Sequence, residues 1–254
     1  MKIGIALSGG GARGFAHLGV LKAIEEIGIQ PHMISGVSAG AIGGAFYCYG
    51  YSPEETLKIL SEHGILGMVS PAFSWKGLLK MDKAEKVYKK YLKEDSFDTL
   101  KIPLIIEATD IINVETIRFS KGELIKAVIA SASIPLMFDP VEYEGRMLVD
   151  GGLLNNLPAQ CLKQHCNKII AVNVNSIFKD EKIDGFLKTI ERNFDIIINN
   201  NIKESIAISD IVLEQMYKKK YGIFDLNHAK EIYEMGYEYT IAKKEQILRE
   251  LSLK

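Results

Sequence analysis

Within its first fifty residues the chain passes twice from a short apolar run, through glycine, into a helix-like stretch. "KIGIAL" leads into "SGGGARG" at 8–14, and "HMIS" leads into "GVSAG" at 36–40. After the first turn, Phe15, Leu18, Leu21 and Ile24 recur at helical spacing until Gly28. After the second, a run of small residues continues to about Tyr49. Strand, glycine turn and helix in repeated order predict an α/β fold, a central mainly parallel sheet with right-handed crossovers and helices on both faces.

The remainder extends this pattern. "SPEETLKILSEH" reads as an amphipathic helix opened by a capping box, Ser52 with Glu55 three residues on. "IPLIIEATDI" and "ETIRFSKG" read as a paired-strand insertion, and "ELIKAVIASASIP" as a helix stopped by Pro135. "VEYEGRMLVD" reads as a hairpin turning at Glu-Gly, and "KIIAVNVNS" as another buried strand. A long helix over about 184–207, a short strand "DIVLEQ" and a charged helix from 227 follow. With no repeat and no low-complexity linker, residues 1–254 are expected to form one domain.

Several function classes lose support from the totals. A formal net charge of −1 gives no basic field for nucleic acid. Three cysteines, Cys48, Cys161 and Cys166, form no CxxC pair, so neither a zinc site nor a disulfide scaffold is expected. The opening residues lack a signal-peptide pattern, and reduced thiols suit a cytoplasmic protein. Met33–Ser52 carries no charge, but five of its twenty residues are glycine, too weakly apolar for a membrane span. Its Gly36, Gly40 and Gly44 spacing instead predicts close backbone packing of a buried helix.

"SGGGARG" admits three guests: a phosphate, a dinucleotide or the oxygen of a reacting carbonyl. A P-loop needs Lys and a hydroxyl residue after its last glycine, where this chain has Phe15 and Ala16. Gly9, Gly11 and Gly14 do give GxGxxG, but "HMISGVS" lacks the acid that a dinucleotide site carries after its second strand. What stands there is GxSxG, with Ser38 on a strand-to-helix turn as in a nucleophile elbow. The alternative is a glycine-rich helix start capped by Ser38. None of the five histidines follows a strand in a glycine-rich loop, so the usual triad is not visible. A carboxylate base is: Asp150 closes the apolar "RMLVD" and precedes Gly151 and Gly152, although Asp before Gly is also a common turn. Burial there would raise its pKa and make it a better base.

Taken in order, "GGGARGFAHLGVL", "GVSAG", "ASASIPLMF" and "DGGLLNNLP" closely resemble the patatin-like phospholipases, over roughly residues 1–215. The resemblance implies a patatin-like fold with a helical cap segment and a Ser–Asp dyad, Ser38 as nucleophile and Asp150 as its partner. It also makes the loop of Gly9, Gly10, Gly11, Ala12 and Arg13 the oxyanion hole, its backbone N–H groups converging on a developing O⁻. The Arg13 side chain either adds positive potential or braces the loop. The implied activity is hydrolysis of lipid acyl esters through an acyl-serine intermediate, without cofactor or metal. A nucleotide-cofactor-binding Rossmann-like protein and a non-catalytic regulatory protein on the same fold are the alternatives.

Segment 64–81 is expected to cap the site. Met68, Phe73, Trp75, Leu78 and Leu79 would line an acyl channel or touch a membrane or micelle surface, with Lys76 and Lys80 near head groups, or else pack a satellite core. "YKKKY" at 217–221 reads as a solvated turn. Asp110 is expected to be structural, and Ser131 and Ser133 to shape the pocket without reacting. Oligomeric state, head group and chain length are not legible.

Overall fold

A computed structural model describes residues 1–71, 77–175, 182–214, 216–217, 221–223 and 225–252, apart from the side chains of 64–68 and 187. Strand β1 (Ile3–Leu7), helix α1 (Phe15–Ile27), strand β2 (Met33–Gly36) and helix α2 (Ala39–Tyr49) open the fold as the glycine punctuation predicts. Helix α3 (Pro53–Met68) starts with the capping box: Ser52 Oγ accepts the Glu55 amide and Glu55 Oε2 accepts the Ser52 amide. A small ribbon of β3 (Ser70–Pro71) and β4 (Leu79–Lys80) precedes α4 (Asp82–Tyr91). Residues 72–76, which include Phe73, Trp75 and Lys76, lie outside the described residues, as does the lysine run 218–220.

Strand β5 (Leu104–Asp110) corrects the expected insertion. It lies in the main sheet, parallel to β2 on Ile34–Gly36, and only its partner β6 (Glu115–Phe119) is a local hairpin addition. All of β5 is buried, and its sequence "LIIEATD" has too little alternation to distinguish a central strand from an edge. Helix α5 (Leu124–Ser131) ends before Pro135. Strands β7 (Val141–Tyr143) and β8 (Arg146–Asp150) form the hairpin, with Glu144 at φ 47° and Gly145 at φ 75° in its turn. Strand β9 (Lys168–Val172), helices α6 (Phe186–Asn200) and α7 (Lys203–Ile208), strand β10 (Ile211–Leu213) and helices α8 (Ala229–Ala242) and α9 (Lys244–Glu250) complete the order. The single helix expected over 184–207 is thus broken at Asn201–Ile202.

The sheet order is β10-β9-β1-β2-β5-β8-β7, parallel from β10 to β5 and antiparallel beyond. Alternate residues face opposite layers. Ile5, Leu7, Ile170 and Val172 join the larger core, with α1, α2 and α8 residues, whereas Ala6, Ile169 and Ala171 pack on Leu157, Leu162 and Ile202. Among the described residues no helix is long and apolar enough to cross a membrane.

Glycine lets α2 sit against the sheet. A Cβ at Gly40 would stand 2.3 Å from the Leu7 carbonyl oxygen, whereas one at Gly43 would meet Leu18 at an ordinary 3.5 Å. Gly40→Ala is therefore expected to lower stability by about 2 kcal/mol or more. Gly43→Ala is expected to be neutral or to gain up to about 1 kcal/mol of helix propensity. Thermal unfolding of the two variants checks this, and equal shifts in Tm would contradict it.

Candidate active site

Two strands running in opposite directions meet at the site. Along β5, Gly36 of β2 stands opposite Ile106 and Asp150 of β8 opposite Ala108. The parallel strand and the antiparallel strand therefore end within two residues of each other, about 7 Å of strand. The chain turns sharply after Gly36, and Ser38 sits at φ 52° and ψ −119° before α2 begins. This conformation costs an L-residue about 1–3 kcal/mol and persists only where its surroundings enforce it. Here the Val37 amide donates to Leu7 O, and the Ser38 amide donates to Ser131 Oγ at 2.9 Å. Ser131 in turn donates to Glu107 O at 2.6 Å, so α5 and β5 together fasten the elbow.

Asp150 is fully buried. Its backbone amide donates to Ser133 O at 2.8 Å, and its Oδ1 accepts the Gly152 amide at 2.8 Å. Among the described residues Oδ2 has no hydrogen bond of full geometry, and the Ser38 hydroxyl is the side chain that acts on this carboxyl. Burial pushes the Asp150 pKa up to about 7, against the opposing pull of Ser38 and the Gly152 amide. Ser131, through its hydroxyl, and Ser133, through its carbonyl, thus fix the backbone at Ser38 and Asp150, a positioning part beyond the pocket-shaping one expected of their motif.

The glycine loop lies alongside. A Cβ at Gly9 would stand 3.1 Å from Ser38 Cβ, and one at Gly11, where φ is +57°, would stand 2.4 Å from Ile223 O. Three of the five loop amides are committed within the protein: Gly9 to Asn156 O, Ala12 to Ile223 O and Arg13 to Gly10 O. The Gly10 and Gly11 amides take no acceptor among the described residues. The Arg13 side chain braces the loop. Its guanidinium donates to Asp195 at 2.9 Å and to Asn175 at 3.3 Å, and Asn175 donates to Gly9 O at 2.7 Å. Tyr217 adds a bond to Arg13 O, which brings one end of the "YKKKY" segment into the loop's support rather than solvent. Sequence reasoning missed Asn175 and Asp195. Asn175 had a signal, its position just beyond the end of a parallel strand.

The remaining candidates fall into supporting roles. Buried Asp110 accepts the Ile112 amide, the Asn113 side chain and Arg146, a turn-fixing arrangement. His17 is buried and donates to Ser8 O at 2.8 Å, and burial lowers its pKa to about 4, so it is neutral at pH 7. No group of metal-binding side chains occurs among the described residues. At the end of β2, where a dinucleotide site would carry an acid, Ser35 donates to Pro158 O.

A cavity of about 140 Å³ opens at Ser38 and runs beside α2. Phe15, Leu18, Ile42, Leu60, Val69, Ile134 and Phe138 contribute its apolar wall. Leu79 and Leu78 belong to its surroundings: Leu79 bridges to Phe138, and Leu78 is exposed.

The raised Asp150 pKa has a measurable consequence for stability. Because it lies above the ordinary value of 3.8, the native state holds this proton more tightly than the unfolded chain does. Stability from this group is full below about pH 4 and is lost as pH rises to about 7, leaving a standing penalty above. Asp150→Asn keeps an acceptor for Gly152 and removes the charge. It is expected to raise Tm at pH 8 and to change it little at pH 4; the same small effect at both values would contradict the burial argument.

The family model of the patatin-like phospholipases matches residues 5–162. An uncharacterized NTE family protein of Mycobacterium tuberculosis is 34% identical over 177 residues, 68% of this chain and 49% of that protein. The chain thus spans about half the length of this relative. The neuropathy target esterase of Drosophila melanogaster is 33% identical over 189 residues, 68% of this chain but 13% of that protein. In three dimensions the crystal structure of VipD from Legionella pneumophila matches with a TM-score of 0.55 at 14% identity, over 96% of this chain and 67% of VipD. That likeness is one of fold. The strand–elbow–helix order, the mixed sheet and the family match agree: the chain belongs to the patatin-like phospholipase family.

Proposed function

We propose that the protein is a serine acyl hydrolase that cleaves carboxylic esters of lipids through the Ser38–Asp150 dyad. The observation that carries this reading is a strained serine, at the head of an apolar cavity, beside a buried carboxyl whose pKa lies near neutrality. Ser38 Oγ attacks the ester carbonyl while Asp150 takes its proton. The oxyanion is held by the Gly10 and Gly11 amides, the two that have no other described acceptor. Asp150 then passes its proton to the leaving alcohol, and acyl-Ser38 remains. Water attacks the acyl group, gives a proton to Asp150, and Ser38 Oγ recovers it as the acid departs.

A pKa near 7 suits both halves of this cycle, since the same group must accept and release a proton. The positive end of α2, at whose N-terminus Ser38 stands, favours the developing negative charge. The apolar wall supports an acyl chain as the guest, and the family and the fly esterase support an ester as the bond. Exposed Leu78 and Leu136, flanking Leu79 and Phe138 near the cavity, are the residues we assign to contact with a lipid surface.

Hydrolysis of 4-nitrophenyl esters and of phospholipid vesicles tests the reading. Ser38→Ala is expected to lower kcat by at least about 10³-fold, and Asp150→Asn by a similar order. The wild-type kcat/KM should rise with pH through about 7 and then level, because the base works ionised. Activity retained in Ser38→Ala, or a flat profile from pH 5 to 8, would sink the proposal.

A further inference from the structure

Besides Ser38, the described residues other than glycine that hold a positive φ are Val114, Leu136, Glu144 and Ser252. Glu144 turns the β7–β8 hairpin, and Ser252 is the last described residue. Val114 and Leu136 differ from these: both are large and apolar, and they are 73% and 62% exposed. A β-branched residue at φ 56° is a steric outlier, where glycine or asparagine would sit freely. Valine here thus serves the fold neither by its backbone nor by burial. Residues that break local rules in this way are expected at functional positions.

Asp110 pairs with Glu115 across the β5–β6 hairpin, so residues 111–114 form its turn. Buried Asp110 accepts the Ile112 amide and the Asn113 side chain, which fixes the turn's shape. Ile111, Ile112 and Val114 are all exposed, Val114 more than any other large apolar side chain among the described residues. Charged side chains follow along the strands. Arg118 pairs with Glu107, and Arg146 with Asp110 and Glu115. Strand β5 runs parallel to β2, and Asp110 lies four residues, about 13 Å of strand, beyond the point opposite Gly36. The turn therefore projects from the end of the sheet at which Ser38 and Asp150 stand.

We propose that this turn is a lipid-insertion tip, Ile112 and Val114 entering a neutral phospholipid surface and bringing the Ser38 end of the sheet against it. This rests on the lipid-ester reading and adds the surface on which that substrate is met. A stable protein partner takes about 20–30 residues a side, far more than one turn of the chain offers. A lipid surface needs only apolar side chains held ahead of charged ones. Both arginines are already paired with carboxylates, so the attraction is apolar, and anionic lipid or low salt adds little to it. Leu136, the other strained and exposed apolar residue, belongs to the contact assigned above beside the cavity.

The test is cosedimentation with phosphatidylcholine vesicles, with and without phosphatidylserine, using Ser38→Ala as parent so that binding is read without turnover. Val114→Gly and Ile112→Ser, each added to that parent, are expected to weaken binding about tenfold. Val114→Gly is expected not to lower Tm, because glycine accepts the positive φ, so loss of binding separates from loss of fold. With Ser38 intact, Val114→Gly is expected to slow hydrolysis of vesicle phospholipid about tenfold and to leave a soluble 4-nitrophenyl ester unchanged. Equal vesicle binding by the parent and both variants overturns the proposal, as does binding that requires phosphatidylserine. Sedimentation velocity without lipid tests a second copy of the chain as the occupant. A larger species that Val114→Gly disperses overturns the lipid assignment. Binding that follows the tip while no ester is turned over supports the tip, and the hydrolase reading alone falls.

Discussion

The backbone at Ser38 occupies φ 52° and ψ −119°, and the site exists only while the surrounding chain holds it there. The strain of about 1–3 kcal/mol is offset by specific contacts. Gly36 and Gly40 bring the end of β2 and the start of α2 together: a Cβ at Gly36 would stand 2.6 Å from Gly40 O. The Ser38 carbonyl starts the helix by accepting the Ile42 amide, and its own amide is fixed on Ser131. A serine in relaxed extended backbone at this position would not stand at the turn between strand and helix. The glycines of the second motif serve this one conformation.

The position of Asp150 follows from a change of strand direction. An all-parallel sheet would carry its neighbouring strand the same way as β2; the hairpin β7–β8 runs back and delivers a carboxyl within two residues of where β2 ends along β5. The cost of desolvating that carboxyl is what raises its pKa, so the property that destabilises the fold at neutral pH is the property that the proposed reaction would use. Asn175 and Asp195 do comparable work for the glycine loop. They fix the Gly9 carbonyl and the Arg13 side chain, while Gly10 and Gly11 keep their amides free of described acceptors.

Much of this was legible in the sequence where local chemistry decides structure. The two glycine turns, the Ser52–Glu55 capping box and the Glu144–Gly145 hairpin each depend on residues within a few positions, and each forms as read. The errors arise where long-range packing decides. Strand β5 has the composition of many strands, and its place between β2 and β8 depends on partners distant in sequence. The break at Asn201 is fixed by tertiary bonds, its side chain donating to Gly152 O and accepting the Asn156 amide. For Arg13 the choice between field and brace awaited Asp195, a residue 182 positions away.

In the proposed reaction one serine, Ser38, is made nucleophilic by one buried acid, Asp150. Fluorophosphonate labelling followed by intact mass, on wild type, Ser38→Ala and Asp150→Asn, addresses it without any assumption about substrate. A single adduct is expected on wild type, none on Ser38→Ala, and labelling slowed by at least about 10²-fold in Asp150→Asn. An adduct that forms on folded Ser38→Ala as fast as on wild type would contradict it.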